Sequence, residues 1–319
     1  MRANTVDFNT NMEKPVRPYY EFADFLQNLF PYKVQKISIN AGFSCPNRDG
    51  VKGVGGCTYC NNQTFSPDYC FSGKSVRQQL NEGIEFFSGK YPQMKFLAYF
   101  QAYTNTYDET ARLLQKYNEA LQHPDVVGLI IGTRPDCMSD ELLIELHNIS
   151  ERYFLLIEYG MESTDNATLD FINRGHTYEE CVEAILRTNA AGCLCGIHLI
   201  LGLPGESREQ ILNHARKISS LPVTTVKLHQ LQLIRNTTMA EQFSEHPDLF
   251  HFYSIDEYID LCIDFIELLP PYFVLERFVS QSPKELVIAP GWRSKNNEFM
   301  HKLNKRIDER GTYQGRKYG

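Results

Sequence analysis

The feature that most restricts what this chain can fold into is a repeated alternation of short apolar runs with amphipathic stretches of helical length. Apolar runs occupy residues 34–40, 94–100, 126–132, 154–159, 193–201 and 224–233. Helical patterns fill 74–90, 108–122, 139–152, 178–191 and 207–220, with Ser139 placed as an N-cap and Gly192 as a C-terminal stop. Strands read as nearly continuous apolar runs when both faces are covered, and a helix between successive strands implies right-handed crossovers in a parallel sheet. Six such units suit a partial (β/α)6 TIM-like barrel of the α/β class better than a closed eight-stranded one. Residues 1–32 then form a helical lead-in, with a short helix at 19–30, and 33–240 form the barrel. Residues 241–319 supply a helix at 255–269, stopped by Pro270 and Pro271, and a strand-like run at 273–279 that reads as an element appended near the mouth. A basic tail completes that segment, and no linker separates independent domains.

Composition narrows the class. Of 319 residues, 42% are hydrophobic, enough for a sizeable core, and the net charge of −7 argues against a protein that coats nucleic acid non-specifically. The charge is uneven: from Trp292 to the C-terminus eight Lys and Arg, Arg293 and Arg306 among them, face three acids, which leaves +5 there and −12 elsewhere. A local basic patch is the footprint of a phosphate-bearing partner, although a solvated helix face gives the same pattern. No apolar run reaches the roughly 20 residues of a membrane span, and residues 1–17 lack the apolar segment of a signal peptide. The expectation is a cytoplasmic protein with its nine cysteines reduced.

In a parallel barrel the loops after the strands gather at one face, where chemistry is done. The loop after the first strand, SCPNRDGVKGVGGCTYCNN, holds Cys45, Cys57 and Cys60, with four glycines able to supply the positive φ of a tight wrap. Three readings fit the spacing. A structural zinc site takes four ligands, Cys70 being the fourth; a redox pair uses Cys57 and Cys60; an iron–sulfur cluster with three thiolates leaves one iron open. The loop alone does not choose among them.

The other strand ends add polar groups in order: Phe100-Gln101-Ala102-Tyr103-Thr104-Asn105, then Thr133-Arg134-Pro135-Asp136, then Glu158 to Ser163 followed by Asn173-Arg174-Gly175-His176-Thr177, then His198 to Glu206 (HLILGLPGE), and finally Lys227 and His229. The series of Cys loop, TRPD, Gly-x-Glu-Ser, NRGHT and H-x-x-x-GLPGE resembles the radical SAM (S-adenosylmethionine) core of the Elongator catalytic subunit. It is most similar to the short bacterial YhcC/YtqA-type branch, which shares CPNRDG, GGCxxC and FQAYTNT. The likeness spans residues 33–238.

That resemblance implies a radical SAM barrel in which Cys45, Cys57 and Cys60 ligate a [4Fe-4S] cluster, with SAM on its open iron. It places Tyr59 against the adenine, Gln101 near the methionyl amino group, Glu162 and His198 at the ribose, and Arg174 at the carboxylate. It also has Gly202 and Gly205 admit the adenine to the backbone. The Gln101 segment departs from the Gly-Gly-Glu of many relatives. The implied activity is reductive cleavage of SAM to a 5′-deoxyadenosyl radical, with electrons from a flavodoxin or ferredoxin. The implied substrate is a tRNA wobble uridine, reached through the basic tail. A radical SAM enzyme acting on a small metabolite and a non-enzymatic zinc module are the alternatives.

Of the remaining candidates, Cys193, Cys195, Cys137, Cys181 and Cys262 read as packing thiols. His176 reads as a helix-start residue and Trp292 as an anchor for the last helix. Lys227 and His229 fit either a lumen or a solvated strand edge, and Tyr103, Tyr107 and Arg134 suit a base-stacking rim.

Overall fold

The computed structural model describes residues 17–64, 66–88, 93–292 and 294–319. The lead-in before Arg17, the end of the 74–90 helical pattern and Arg293 lie outside the described residues. The periodicity of the sequence appears as β1 (Val34–Ile39), β2 (Lys95–Phe100), β3 (Val126–Thr133), β4 (Phe154–Glu162), β5 (Leu194–Leu201) and β6 (Thr225–Gln230), paired in parallel in chain order. The expected sixth strand, 224–233, is split. β6 ends at Gln230, and β7 (Leu233–Ile234) leaves the sheet. β8 (Val274–Arg277) pairs in parallel with β6, so among the described residues the curled sheet has seven strands. The run at 273–279 is therefore built into the barrel rather than appended to its mouth. β7 instead joins β9 (Val287–Ala289) in an antiparallel ribbon.

Side-chain alternation along the strands sorts residues into two environments. Outward residues such as Phe96, Ala98, Phe100, Leu129, Ile131, Leu155 and Ile157 pack under helices in the main core. That layer comprises α2 (Val76–Ser88), α3 (Thr110–Leu121), α4 (Asp140–Ser150), α6 (Tyr178–Ala190), α7 (Arg208–Ile218) and α9 (Ile255–Glu267), with α10 (Asn296–Arg310) against α9. Ser139, Thr177, Ser207 and Ser254 cap four of these helices, the last three through capping boxes. Inward residues Leu97, Tyr99, Ile130, Leu156 and Val274 form a second core with Phe22, Phe25 and Leu26 of α1 (Phe22–Leu29). That helix plugs the N-terminal end of the barrel. Short α5 (Asn166–Phe171) and α8 (Thr238–Glu245) pack at the opposite end with Tyr59.

The C-terminal tail is a clasp. Arg306 of α10 bonds Asp260 at 2.7 Å, Arg310 reaches Asp264, and Lys317 reaches Glu267, all three acids on α9. Gln314 donates to the carbonyls of Pro270 and Phe273 at 2.7 and 2.8 Å. Much of the charge that reads as a free basic patch in the sequence is thus paired within the fold. No helix among the described residues is long and apolar enough to cross a membrane.

Candidate active site

The C-terminal ends of the strands surround a cavity of about 260 Å³. Cys45, Cys57 and Cys60 line one wall, all as free thiols. Their loop is held from several sides: Thr58 N–H donates to Ile172 O at 2.9 Å, Asn173 donates to Gly56 O at 2.9 Å, and Met239 N–H donates to Thr58 O at 2.8 Å. Gly55 and Gly56 have φ of 85° and 86°, values open chiefly to glycine. Two donors approach the sulfur of Cys57: Arg174 Nη1 at 3.4 Å and Asn47 Nδ2 at 3.6 Å. Burial, followed by the field of Cys57, raises the Cys60 thiol. A metal taken up by this thiol would displace its proton.

β4 shapes the neighbouring wall. Its register slips between Gly160 and Glu162, and Glu162 adopts φ of 67°, a strained conformation for a residue with a β-carbon. The slip turns Glu162 into the cavity, 3.7 Å from Arg174. Arg174 is anchored by Gly160 O at 2.6 Å. A β-carbon on Gly160 would stand 2.6 Å from both the Arg174 guanidinium and the Glu162 carboxylate, so any other residue there would displace those two groups. Burial opposes the Arg174 charge, but Tyr59, Cys57 and Glu162 together outweigh it and hold the group protonated. Burial and the Arg174 charge push His176 down to about 3, and its ring lies 3.2 Å from Gly160 O.

Deeper in the lumen lies a belt of buried charge. Glu158 accepts from Lys227 at 2.8 Å and His198 at 3.0 Å, with Lys36 at 3.5 Å. Glu276 takes Lys36 and Lys227 at 2.6 Å each, and Lys227 also reaches Tyr99 Oη at 3.1 Å. Desolvation opposes the Glu158 charge, yet Lys227 and Lys36 hold it well below the usual carboxylate range. The Lys36–Glu276 pair bridges the first and last strands of the sheet, closing the belt above the apolar plug of α1.

The cavity brings together Cys45, Cys57, Cys60, Tyr59, Gln101, Glu162, Arg174 and His198. Gly202 is outside it: its φ is 89°, and a β-carbon there would meet the Tyr253 ring at 3.1 Å, so the glycine serves a close approach to that tyrosine. Lys227 and His229 line the lumen rather than a solvated edge. Tyr103, at φ of 62° with Arg48 over its ring, and Arg134 line the cavity; Tyr107 does not. Cys70 does not line the cavity either, and burial pushes its thiol up to about 12. Among the described residues no three His, Cys, Asp or Glu side chains converge closely enough to hold a single metal ion, as the zinc reading requires. A four-iron cube is a larger body with its thiolates spread around it. Sequence reasoning missed Lys36, Glu276, Tyr99 and Asn47 and gave Glu158 no role. The available signal was a charged residue at an inward register of an otherwise apolar strand, as with Lys36 in VQKISI.

Residues 45–218 match the model of the radical SAM superfamily, and residues 223–309 match that of the Radical_SAM C-terminal domain. The chain belongs to the radical SAM superfamily. This radical SAM protein is thus an enzyme, of a family that implies SAM and a [4Fe-4S] cluster, and the zinc-module alternative falls away. It is 33% identical to YtqA of Bacillus subtilis, covering 93% of this chain and 92% of that protein. It is 25% identical to the tRNA uridine(34) acetyltransferase of Methanocaldococcus jannaschii over 59% of this chain and 34% of that one. Archaeal Elp3 from Methanocaldococcus infernus shares the fold, with a TM-score of 0.68 at 18% identity, covering 89% of this radical SAM chain and 64% of Elp3.

Proposed function

We propose that this radical SAM enzyme holds a [4Fe-4S] cluster on Cys45, Cys57 and Cys60, binds SAM beside it, and modifies a tRNA at a wobble uridine. The observation that carries the first part is three unbridged thiols on one wall of one cavity, with Arg174 and Asn47 donating toward the Cys57 sulfur. When bound, the cluster supplies the electron that splits the S–C5′ bond of SAM, and the radical so formed takes hydrogen from an unactivated carbon. The chain's own residues bind and orient. Arg174 offers a fixed cation for the SAM carboxylate, Gln101 a polar group for its amino end, and Glu162 and His198 acceptors for ribose hydroxyls. Tyr59, packed against the apolar cluster of α5 and α8, offers an aromatic face to the adenine. The α1 plug and the charged belt exclude water from below.

The tRNA part is supported by the likeness to an enzyme named for uridine 34 of tRNA and by a cavity rim carrying exposed Tyr103 with Arg48 over its ring. A second reading, a small-metabolite substrate, is favoured by the tail, whose Arg306, Arg310 and Lys317 are engaged by α9. Anaerobic reconstitution followed by dithionite and SAM tests the chemistry: 5′-deoxyadenosine is the expected product. Its absence from a fully loaded, reduced sample would refute the enzymatic mechanism. Comparing the modified nucleosides of total tRNA from a deletion strain and its parent tests the substrate, since an unchanged profile selects the metabolite reading.

A further inference from the structure

Among the described residues, the charged groups lining the cavity are engaged by an opposite charge or, for Arg48, by a carbonyl and a ring, with one exception. Arg174 faces Glu162, Arg134 is paired with Asp136, and Lys227 is shared between Glu158 and Glu276. Arg48 donates to Cys60 O at 3.0 Å and lies over Tyr103. Arg277 is the exception. It sits on β8 in register with Lys227 of β6, half-buried on the cavity wall, and no carboxylate among the described residues pairs with it. The acid next to it, Glu276, is already taken by Lys36 and Lys227.

On the same cavity wall the segment after β8 is polar and fixed. Ser280 N–H donates to Gln230 Oε1 at 2.7 Å, Gln230 Nε2 donates back to Ser280 O at 2.8 Å, and Ser282 donates to Gln232 Oε1 at 2.7 Å. His229 contacts Ser280 Oγ. Burial first, then the charges of His198 and Arg277, hold the His229 ring well below its ordinary range, so it is neutral and adds no second cation. A half-desolvated guanidinium without a counter-ion is unfavourable on its own and gains most from a planar oxyanion that meets two of its donors. Such a group belongs to whatever occupies this side of the cavity, on strands β6 and β8 and away from Arg174, which resides in the loop after α5.

We propose that Arg277 anchors an anionic group of the substrate, a carboxylate or a phosphate, with Ser280 and His229 on the same cavity wall as further hydrogen-bond partners. The proposal rests on this cavity being the substrate chamber and does not depend on the substrate being RNA. The anion has two possible bearers, the substrate and SAM itself, and the test separates them. Holoenzyme with an uncleavable SAM analogue bound and its cluster reduced is mixed with 13C-labelled acetate, or with inorganic phosphate, and nuclear relaxation of the probe by the paramagnetic cluster is recorded. The wild type is expected to enhance probe relaxation, Arg277→Gln to lose at least fivefold of that enhancement, and Arg277→Lys to keep part of it. The SAM dissociation constant is expected to stay within twofold in Arg277→Gln. Equal enhancement in wild type and Arg277→Gln overturns the proposal, as does a tenfold weakening of SAM binding, which assigns the group to the SAM carboxylate. Arg277→Lys, with matched thermal unfolding, guards against simple misfolding. An unchanged tRNA profile in a deletion strain leaves the anion result standing, so the two readings fail separately.

Discussion

At the scale of residues, function concentrates where the backbone breaks ordinary rules. Glu162 and Tyr103 carry positive φ without being glycine, and both line the cavity. Gly160 is the space that lets Arg174 reach Cys57. Cys57→Ala is expected to abolish iron loading, whereas Cys70→Ala leaves the iron-to-protein ratio of reconstituted enzyme unchanged; loss of iron in both would make Cys70 a fourth thiolate and overturn the three-thiolate site. Gly160→Ala is expected to lower iron affinity about tenfold by dislodging the guanidinium that supports a ligand sulfur. Iron retention during chelator titration measures that change. The cysteine trio stood out by its spacing within one loop, whereas Arg174 was singled out only by the family resemblance, since it lies in the loop after α5 and not at a strand end. Asn47 was not, because its approach to Cys57 depends on the loop folding back on itself.

At the scale of elements, α1 to α4, α6, α7, α9 and the first five strands follow hydrophobic periodicity closely, since each is decided within its own window of residues, whereas the short α5 and α8 were not expected. β8 was expected as an appended strand rather than as part of the sheet because it is short and half of it, Glu276 and Arg277, is charged. Glu276 is tolerated in a strand because Lys36 of β1 and Lys227 of β6 both pair with it, which no local window shows. The α9–α10 clasp was misread for the same reason: the cations of the tail are visible in sequence, their partners 46 residues upstream are not. Arg310 and Arg208 hold Asp264 below its ordinary range, although burial works the other way. A depressed carboxylate stabilises the fold above its unfolded pKa and loses that contribution as pH falls through the folded one. Asp264→Asn is accordingly expected to lower stability by about 1 kcal/mol at neutral pH, and the gap from wild type should narrow between pH 5 and pH 3. Urea unfolding across that range checks it.

For the whole molecule, the barrel is tied shut by ion pairs where its open edges approach each other. Lys36→Met leaves Glu276 with Lys227 alone and is expected to destabilise the fold by about 3 kcal/mol, the usual result of removing one partner from a buried pair. A shift in the thermal midpoint of apo protein measures it; no shift would mean that the belt contributes nothing to closure. The same Lys36 stands over the Phe22 ring of α1 at 4.2 Å, so the tie and the plug are one structure.

That floor has a kinetic meaning. A chamber blocked at its base by α1 is entered from the rim, so whatever sits farthest in is expected to arrive first and depart last. Turnover by this enzyme should then follow a compulsory order, with the outer occupant acting as a stopper that traps the inner one until both have reacted.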